Sequence, residues 1–163
     1  SIMAEEIIDK ETGEVLPMDE LEVGTVSIIP MQDAFVHNSD NMVMCTFDTD
    51  GSKASKLRLH KIKANPDERL QDHINEKITV TGFVAHWVET KNERTGEITP
   101  APRIILIDDK GTTYTCVSIG VYNSLRNIVM DLWLPSEEEP IVIIPRRVKG
   151  KNRYEFTSLE VSE

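Results

Sequence analysis

The run K-I-T-V-T-G-F-V-A-H-W-V, from Lys77 to Val88, constrains the fold more than any other part of the chain. It is the longest β-patterned segment, rich in β-branched and aromatic residues, with Gly82 in its interior. Side chains alternate across a strand, so Ile78, Val80, Gly82, Val84, His86 and Val88 are expected on one face. Thr79, Thr81, Phe83, Ala85 and Trp87 then share the other, which reads either as a second core or as a platform for flat ligands. A glycine inside a long strand often marks a bulge or the bend of a small barrel, and a bend lets one strand serve two sheets.

Downstream, Glu89 to Thr99 reads as a polar hairpin loop and Ile98 to Asp108 as a returning strand. Pro100 and Pro102 keep the first half of that strand from being a regular central one, whereas Arg103 to Asp108 is apolar enough for both faces to be covered. Asp109-Lys110-Gly111 is a turn into a third strand, Thr112 to Ser118. The period then becomes helical through Val121, Tyr122, Leu125, Ile128, Val129, Leu132 and Trp133, which makes Tyr122 and Trp133 core residues, and Pro135 ends the helix. Ile141 to Lys149 and Arg153 to Val161 are two further strands. Strand, strand, strand, helix, strand, strand is the order of a five-stranded OB-type Greek-key barrel, which uses the loops after its first and fourth strands for binding. The expected fold class is therefore mainly β, with one helix between strands three and four.

Upstream of the barrel, Met42 to Phe47 reads as a strand and Ser55 to Ile62 as its hairpin partner, with Leu57 and Leu59 alternating against Lys56, Arg58 and His60. Asn65-Pro66-Asp67-Glu68 has the chemistry of a helix start, and that short helix ends near Ile74. The expected organisation is an acidic mobile arm over residues 1–22 and a single domain over 23–163, made of an N-terminal hairpin and short helix (23–75) and the barrel (77–161).

A formal charge of -10 argues at first against a polyanionic partner. Eight of the acids lie before Val23 with only Lys10 as a base, which leaves 20 acids against 17 bases for the rest, so the folded part is close to neutral. Cys45 and Cys116 sit in apolar strand-like runs, as buried free thiols do in a reducing compartment. No apolar run is long enough for a membrane span and the start lacks signal-peptide chemistry, so a cytoplasmic protein is expected. The histidines stand apart in sequence, neither cysteine has a second at ligand spacing, and no nucleophile elbow or phosphate-cradling loop is present. Neither an enzyme nor a cofactor or metal site is expected.

Arg146-Arg147-Val-Lys149-Gly-Lys151-Asn-Arg153-Tyr154 holds five cations and no acid, on the loop that such a barrel uses for binding. A groove that tracks phosphates needs such a run, although a solvated hairpin tip would look the same. Lys53, Lys56, Arg58, His60, Lys61 and Lys63 form a second cationic stretch, which an edge strand protected by lysines would also show. Phe83, Trp87, Tyr114 and Tyr154 are the candidates for base stacking, against core packing as the plain alternative.

Taken together, I-T-V-T-G-F-V, a polar loop with T-G-E, R-I-I-L-I-D-D-K-G-T-T-Y, the helix opening V-S-I-G-V-Y-N-S-L and the closing K-G-K-N-R-Y-E-F-T-S-L-E-V resemble single-stranded-DNA-binding proteins of phages and mobile elements of Gram-positive bacteria. The resemblance covers Lys77 to Val161. It implies an OB fold, sequence-tolerant binding of single-stranded DNA, a role in DNA replication or recombination, and replication proteins as partners. By position, the implied contacts fall on Trp87, Arg103, Tyr114, Lys149, Lys151, Arg153 and Tyr154, to which the cationic stretches add Lys56, Arg58 and Arg147 and the central strand adds Phe83. One departure is that many single-strand binders end in an acidic tail, whereas here the acidic arm is at the front. That arm and the overall charge support the alternative expectation, an acidic OB-like protein-interaction module or a DNA mimic.

Overall fold

The computed structural model describes residues 51–151 and 154–163, Cys45 and Thr46, and the backbone of 6–8, 15–17, 36–38 and 43–44. In chain order its elements are β1 (Glu6–Ile8), β2 (Val15–Pro17), β3 (Val36–Asn38), β4 (Val43–Cys45), α1 (Lys53–Ala64) and β5 (Glu68–Arg69). A 3-10 turn (Leu70–His73) follows, then β6 (Ile78–Lys91), β7 (Ile98–Asp108), β8 (Thr113–Val117), α2 (Ile119–Asp131), β9 (Ile141–Lys149) and β10 (Glu155–Val161). The architecture is mainly β: a curled half-barrel in the order β10-β9-β6-β7-β8-β5, with α2 between its β8 and β9 strands in sequence.

Strand β6 organises the sheet as its sequence suggests. One edge carries β7 from Val80 to Lys91, while the other passes from β9 at Ile78–Val80 to β4 at Val84–Ala85 and to β1 at Lys91. The exchange falls at a bulge, where the β7 register steps from Val80↔Asp108 to Gly82↔Ile107. The extra residue, Thr81, sends its hydroxyl back to the Asp108 carbonyl at 3.1 Å, offsetting the interrupted ladder. Gly82 is required there because a Cβ would meet the Thr46 hydroxyl at 2.8 Å. That hydroxyl accepts the Phe83 N–H at 2.9 Å, and Thr46 N–H returns a bond to the Phe83 carbonyl.

The bulge also overturns the expected division of faces. Inserting one residue reverses the alternation, so Phe83 and Ala85 join Ile78 and Val80 in the main core, and Val84 turns to the opposite side. The ladder remains one continuous sheet in place of two.

Helix α2 closes the inner face. Ser118 caps it by accepting the Val121 N–H at 3.1 Å, and Tyr122, Leu125, Ile128 and Val129 enter the core with Phe83, Ile104 and Leu106. Its first turn lies directly on β10, where a Cβ at Gly120 would strike the Thr157 carbonyl. Pro145, which has no N–H, and Leu159 opposite it form a pair whose backbone groups point away from each other, so Leu159 presents its N–H at the outer edge. Ser124 accepts that N–H at 3.1 Å, and the helix thereby covers an edge that is otherwise open to pairing.

Three expectations need correction. Ser55 to Ile62 is helix α1, not a strand: Ser52 caps it through the Ser55 N–H, and the residues turned inward, Ser55, Leu59 and Ile62, recur at i, i+4 and i+7. The hairpin partner of β4 is β3. Asn65-Pro66-Asp67 does not start a helix: Asn65 caps the end of α1, and the Asp67 carboxylate accepts the Thr113 N–H and hydroxyl, which seats β5 parallel to β8. Among the described residues the first half of β7 is laddered with β6 alone, as suits its two prolines, and Arg103 to Asp108 is buried throughout.

Candidate nucleic-acid interface

The β9–β10 hairpin carries its cations on both faces of a regular ladder, Arg146 opposite Ser158 on one face and Arg147 opposite Thr157 and Lys149 opposite Glu155 on the other. Arg146 donates to Glu160 at 2.6 Å and to the Asn75 side-chain oxygen at 2.8 Å; Arg147 donates to the Thr157 hydroxyl at 2.7 Å and stands 3.9 Å from Glu155. These exposed pairs hold the guanidinium groups within the sheet and contribute little to stability. Lys149 and Lys151 are exposed and form no ion pair with a described residue. Tyr154, half-buried, closes the turn with its carbonyl accepting the Gly150 N–H at 2.8 Å. Arg153 lies outside the described residues.

The expected aromatic platform is largely inside the molecule. Phe83 is fully buried because the bulge turns it to the α2 side, so it belongs to the core and offers no stacking face. Trp87 is half-buried, its ring 6.2 Å from that of Tyr122 and tilted by 58°. Its Nε1–H and the Tyr122 hydroxyl are both buried with no hydrogen-bond partner among the described residues. Tyr114 packs against the same core, meets the His73 ring edge-on at 5.0 Å, and donates its hydroxyl to Asp108 at 2.9 Å. Burial, with Asp108 second, pushes the Tyr114 pKa up to about 12, and burial pushes Tyr122 to about 12 as well. Trp133, expected in the core, is 44 % exposed beyond the end of α2, its indole N–H donating to the Glu139 carbonyl. Pro135 two residues later was the sequence signal that the helical stripe stops short of it.

Arg103 is not a surface cation. It is 6 % exposed on the outer face of β7, where it donates to the Lys63 carbonyl at the end of α1 at 2.7 Å and to the Thr115 hydroxyl at 3.3 Å. The role is structural, since those bonds tie the helix to the sheet and satisfy the last-turn carbonyl. His86 lies 3.4 Å away, and burial, followed by the charges of Lys63 and Arg103, lowers its pKa to about 4.

Helix α1 lies over this outer face, with Leu59 and Ile62 on a small second cluster of Cys45, Val84 and Ile105. Helical spacing puts Lys53, Lys56, His60 and Lys63 on one flank and Arg58 with Lys61 on the other. Lys56 and Arg58 are thus exposed and cationic, as expected, but on a helix. The described residues thus include two cationic elements, the hairpin tip and a helix without an acidic residue.

A β half-barrel with a cationic hairpin and a covering basic helix has the features of a nucleic-acid-binding module. The chain belongs to the phage single-stranded DNA-binding protein family of the Phi29 type, whose match spans residues 37–162. That family consists of non-enzymatic DNA-binding proteins. Neither a curated protein nor a solved structure matches the chain. No helix among the described residues is long and apolar enough to cross a membrane.

Proposed function

We propose that the protein binds single-stranded DNA without strong sequence preference and shields it during replication or recombination, in the cytoplasm of the host cell. The observation that carries this reading is the family match over most of the folded chain, together with exposed Lys149 and Lys151 on the hairpin. Sheet β6-β7-β8, helix α2 and the return of β9 to β6 follow the order of an OB-type barrel, whose fourth-to-fifth-strand loop is this hairpin. Phosphates run past Lys149 and Lys151, with Arg153 next in the chain, while the exposed parts of Tyr154 and Trp87 meet bases. Residues 1–22 act as an acidic arm on a single domain. Family membership favours strand binding over an acidic adaptor or DNA mimic.

Gel shifts with oligo-dT and with duplex DNA test the reading. Oligo-dT is retained at micromolar protein in low salt, in preference to duplex, and affinity falls with salt at a log-log slope of about -0.7 per phosphate contact. Absence of any shift with oligo-dT at micromolar protein in low salt overturns it.

A further inference from the structure

Four of the large apolar side chains that remain exposed fall within five successive residues at the end of α2: Met130 at 63 %, Leu132 and Trp133 at 44 %, and Leu134 at 42 %. The segment that carries them is held in place. Trp133 donates its indole N–H to the Glu139 carbonyl at 2.9 Å, and the same carbonyl accepts the Ser136 N–H while the Ser136 hydroxyl accepts the Glu139 N–H. Pro135 between them is buried and lines the same small internal void as Leu125, Ile128 and Ile141. The indole is thus tied by its polar edge while part of its apolar surface stays in solvent. A preorganised aromatic of this kind loses little freedom when a partner covers it, and apolar patches left exposed mark interaction sites.

Charge decides what the patch can take. Asp131, Glu137, Glu138 and Glu139 are exposed in the same stretch, and no basic residue occurs from position 130 to 140. None of the four carboxylates forms an ion pair with a described residue, although Arg58 lines a cleft with Glu137. A nucleic acid or an anionic lipid surface would bring phosphates against these carboxylates, and a second copy meeting the patch with its own would oppose like charges. Residues 1–22 are acidic too, which disfavours the chain's own arm as the cover. We propose that residues 130–134 and the acidic turn at 137–139 dock a basic amphipathic segment of a partner protein. Its apolar stripe lies on Trp133 and its lysines or arginines face the carboxylates. Trp is among the residues that most often anchor interfaces, and complementary charge sets orientation and on-rate. This inference does not rest on strand binding.

The experiment is amide and indole NMR on the full chain, titrated with a synthetic Leu/Lys peptide whose leucines recur at helical spacing. The same residues in scrambled order and a Leu/Glu peptide of the same pattern are the controls. The Leu/Lys peptide should give saturable shifts at the amides of residues 130–134 and at the Trp133 indole N–H, the scrambled peptide should bind roughly tenfold more weakly, and the Leu/Glu peptide should give none. Trp133→Ala should weaken the Leu/Lys peptide by roughly tenfold or more, the scale of an interface anchor. Glu137→Gln/Glu138→Gln should weaken it less and make its salt dependence shallower. Unmoved resonances at residues 130–134 overturn the proposal, as do equal shifts with the scrambled peptide, which reduce the effect to charge alone. Movement of the same resonances by oligo-dT assigns the patch to nucleic acid, and movement on raising the protein concentration alone assigns it to a second copy; either overturns the proposed occupant. Because these shifts are read on the parent protein, loss of folding in a variant does not obscure them.

Discussion

The two helices cover opposite faces of the same pair of strands and are held by different means. Helix α2 buries seven residues, from Ile119 to Val129, against the inner face, with Gly120 pressed on β10 and Ser118 capping from a buried position. Helix α1 buries none of its residues. It rests on Leu59 and Ile62, on Arg103 bonded to its last turn, and on an exposed Ser52 cap. The inner face is thus the stable core and the outer face a lightly packed, cationic one. Substitutions should show that division of stability.

The largest effect is expected at Phe83. Phe83→Ala empties the centre of the inner core and should cost about 3–5 kcal/mol in chemical denaturation; a cost under 1 kcal/mol would remove Phe83 from the core. Gly120→Ala forces α2 off the Thr157 carbonyl, an overpacking penalty of about 1–3 kcal/mol by the same measurement. On the outer face, Ile62→Ala should cost only about 1–2 kcal/mol, because the side chain is half-buried and removes less apolar area from water. The caps sharpen the contrast: Ser118→Ala should approach the upper end, about 2 kcal/mol, and Ser52→Ala the lower, about 0.5 kcal/mol. Equal costs at Ser118 and Ser52 would mean that the two helices are anchored alike.

Two histidines give the smallest effects, with opposite signs. Burial, then Lys63 and Arg103, holds His86 neutral, with a pKa lowered to about 4. The stability it contributes is fully present above its unfolded pKa of about 6.5 and is lost as pH falls from there towards 4. At His73 burial lowers the pKa, but hydrogen bonds to Glu76 and Glu68, at 3.2 and 3.0 Å, and their charges together raise it. Its contribution is fully present below about 6.5 and is lost as pH rises through the raised value. Melting curves should therefore show His86→Gln flattening the acid limb and His73→Gln flattening the loss near neutrality, and ring-proton titrations should place His73 above His86.

Much of this division was legible in the chain. The α2 stripe of Tyr122, Leu125, Ile128 and Val129 announces its helix because its apolar residues keep the 3.6 period. Strand β9 falls at its sequence bounds, and β7 likewise, prolines included. Helix α1 is concealed in the sequence because Leu57 and Leu59 alternate with cations over a short window, imitating a strand, while the burying positions Ser55, Leu59 and Ile62 include only two apolar residues. The side that Phe83 takes is concealed for a different reason: Gly82 signals a bulge, but plain alternation through it puts Phe83 on the face opposite Ile78 and Val80, and only the register step reverses that. Arg103 begins a run whose apolar character implies cover on both faces, but its partner, the Lys63 carbonyl, belongs to a helix that the sequence conceals, so a surface cation is the plainer reading of its charge.

If the hairpin lysines take the phosphates of a single strand, the salt dependence of oligo-dT affinity must change between the parent and Lys149→Ala/Lys151→Ala, a difference that Trp fluorescence follows. Both side chains are exposed, so the double variant should melt with the parent. Its log-log salt slope should be shallower by about 1.4, two phosphate contacts at about 0.7 each, with weaker binding at low salt. An unchanged slope and an unchanged affinity would contradict the claim.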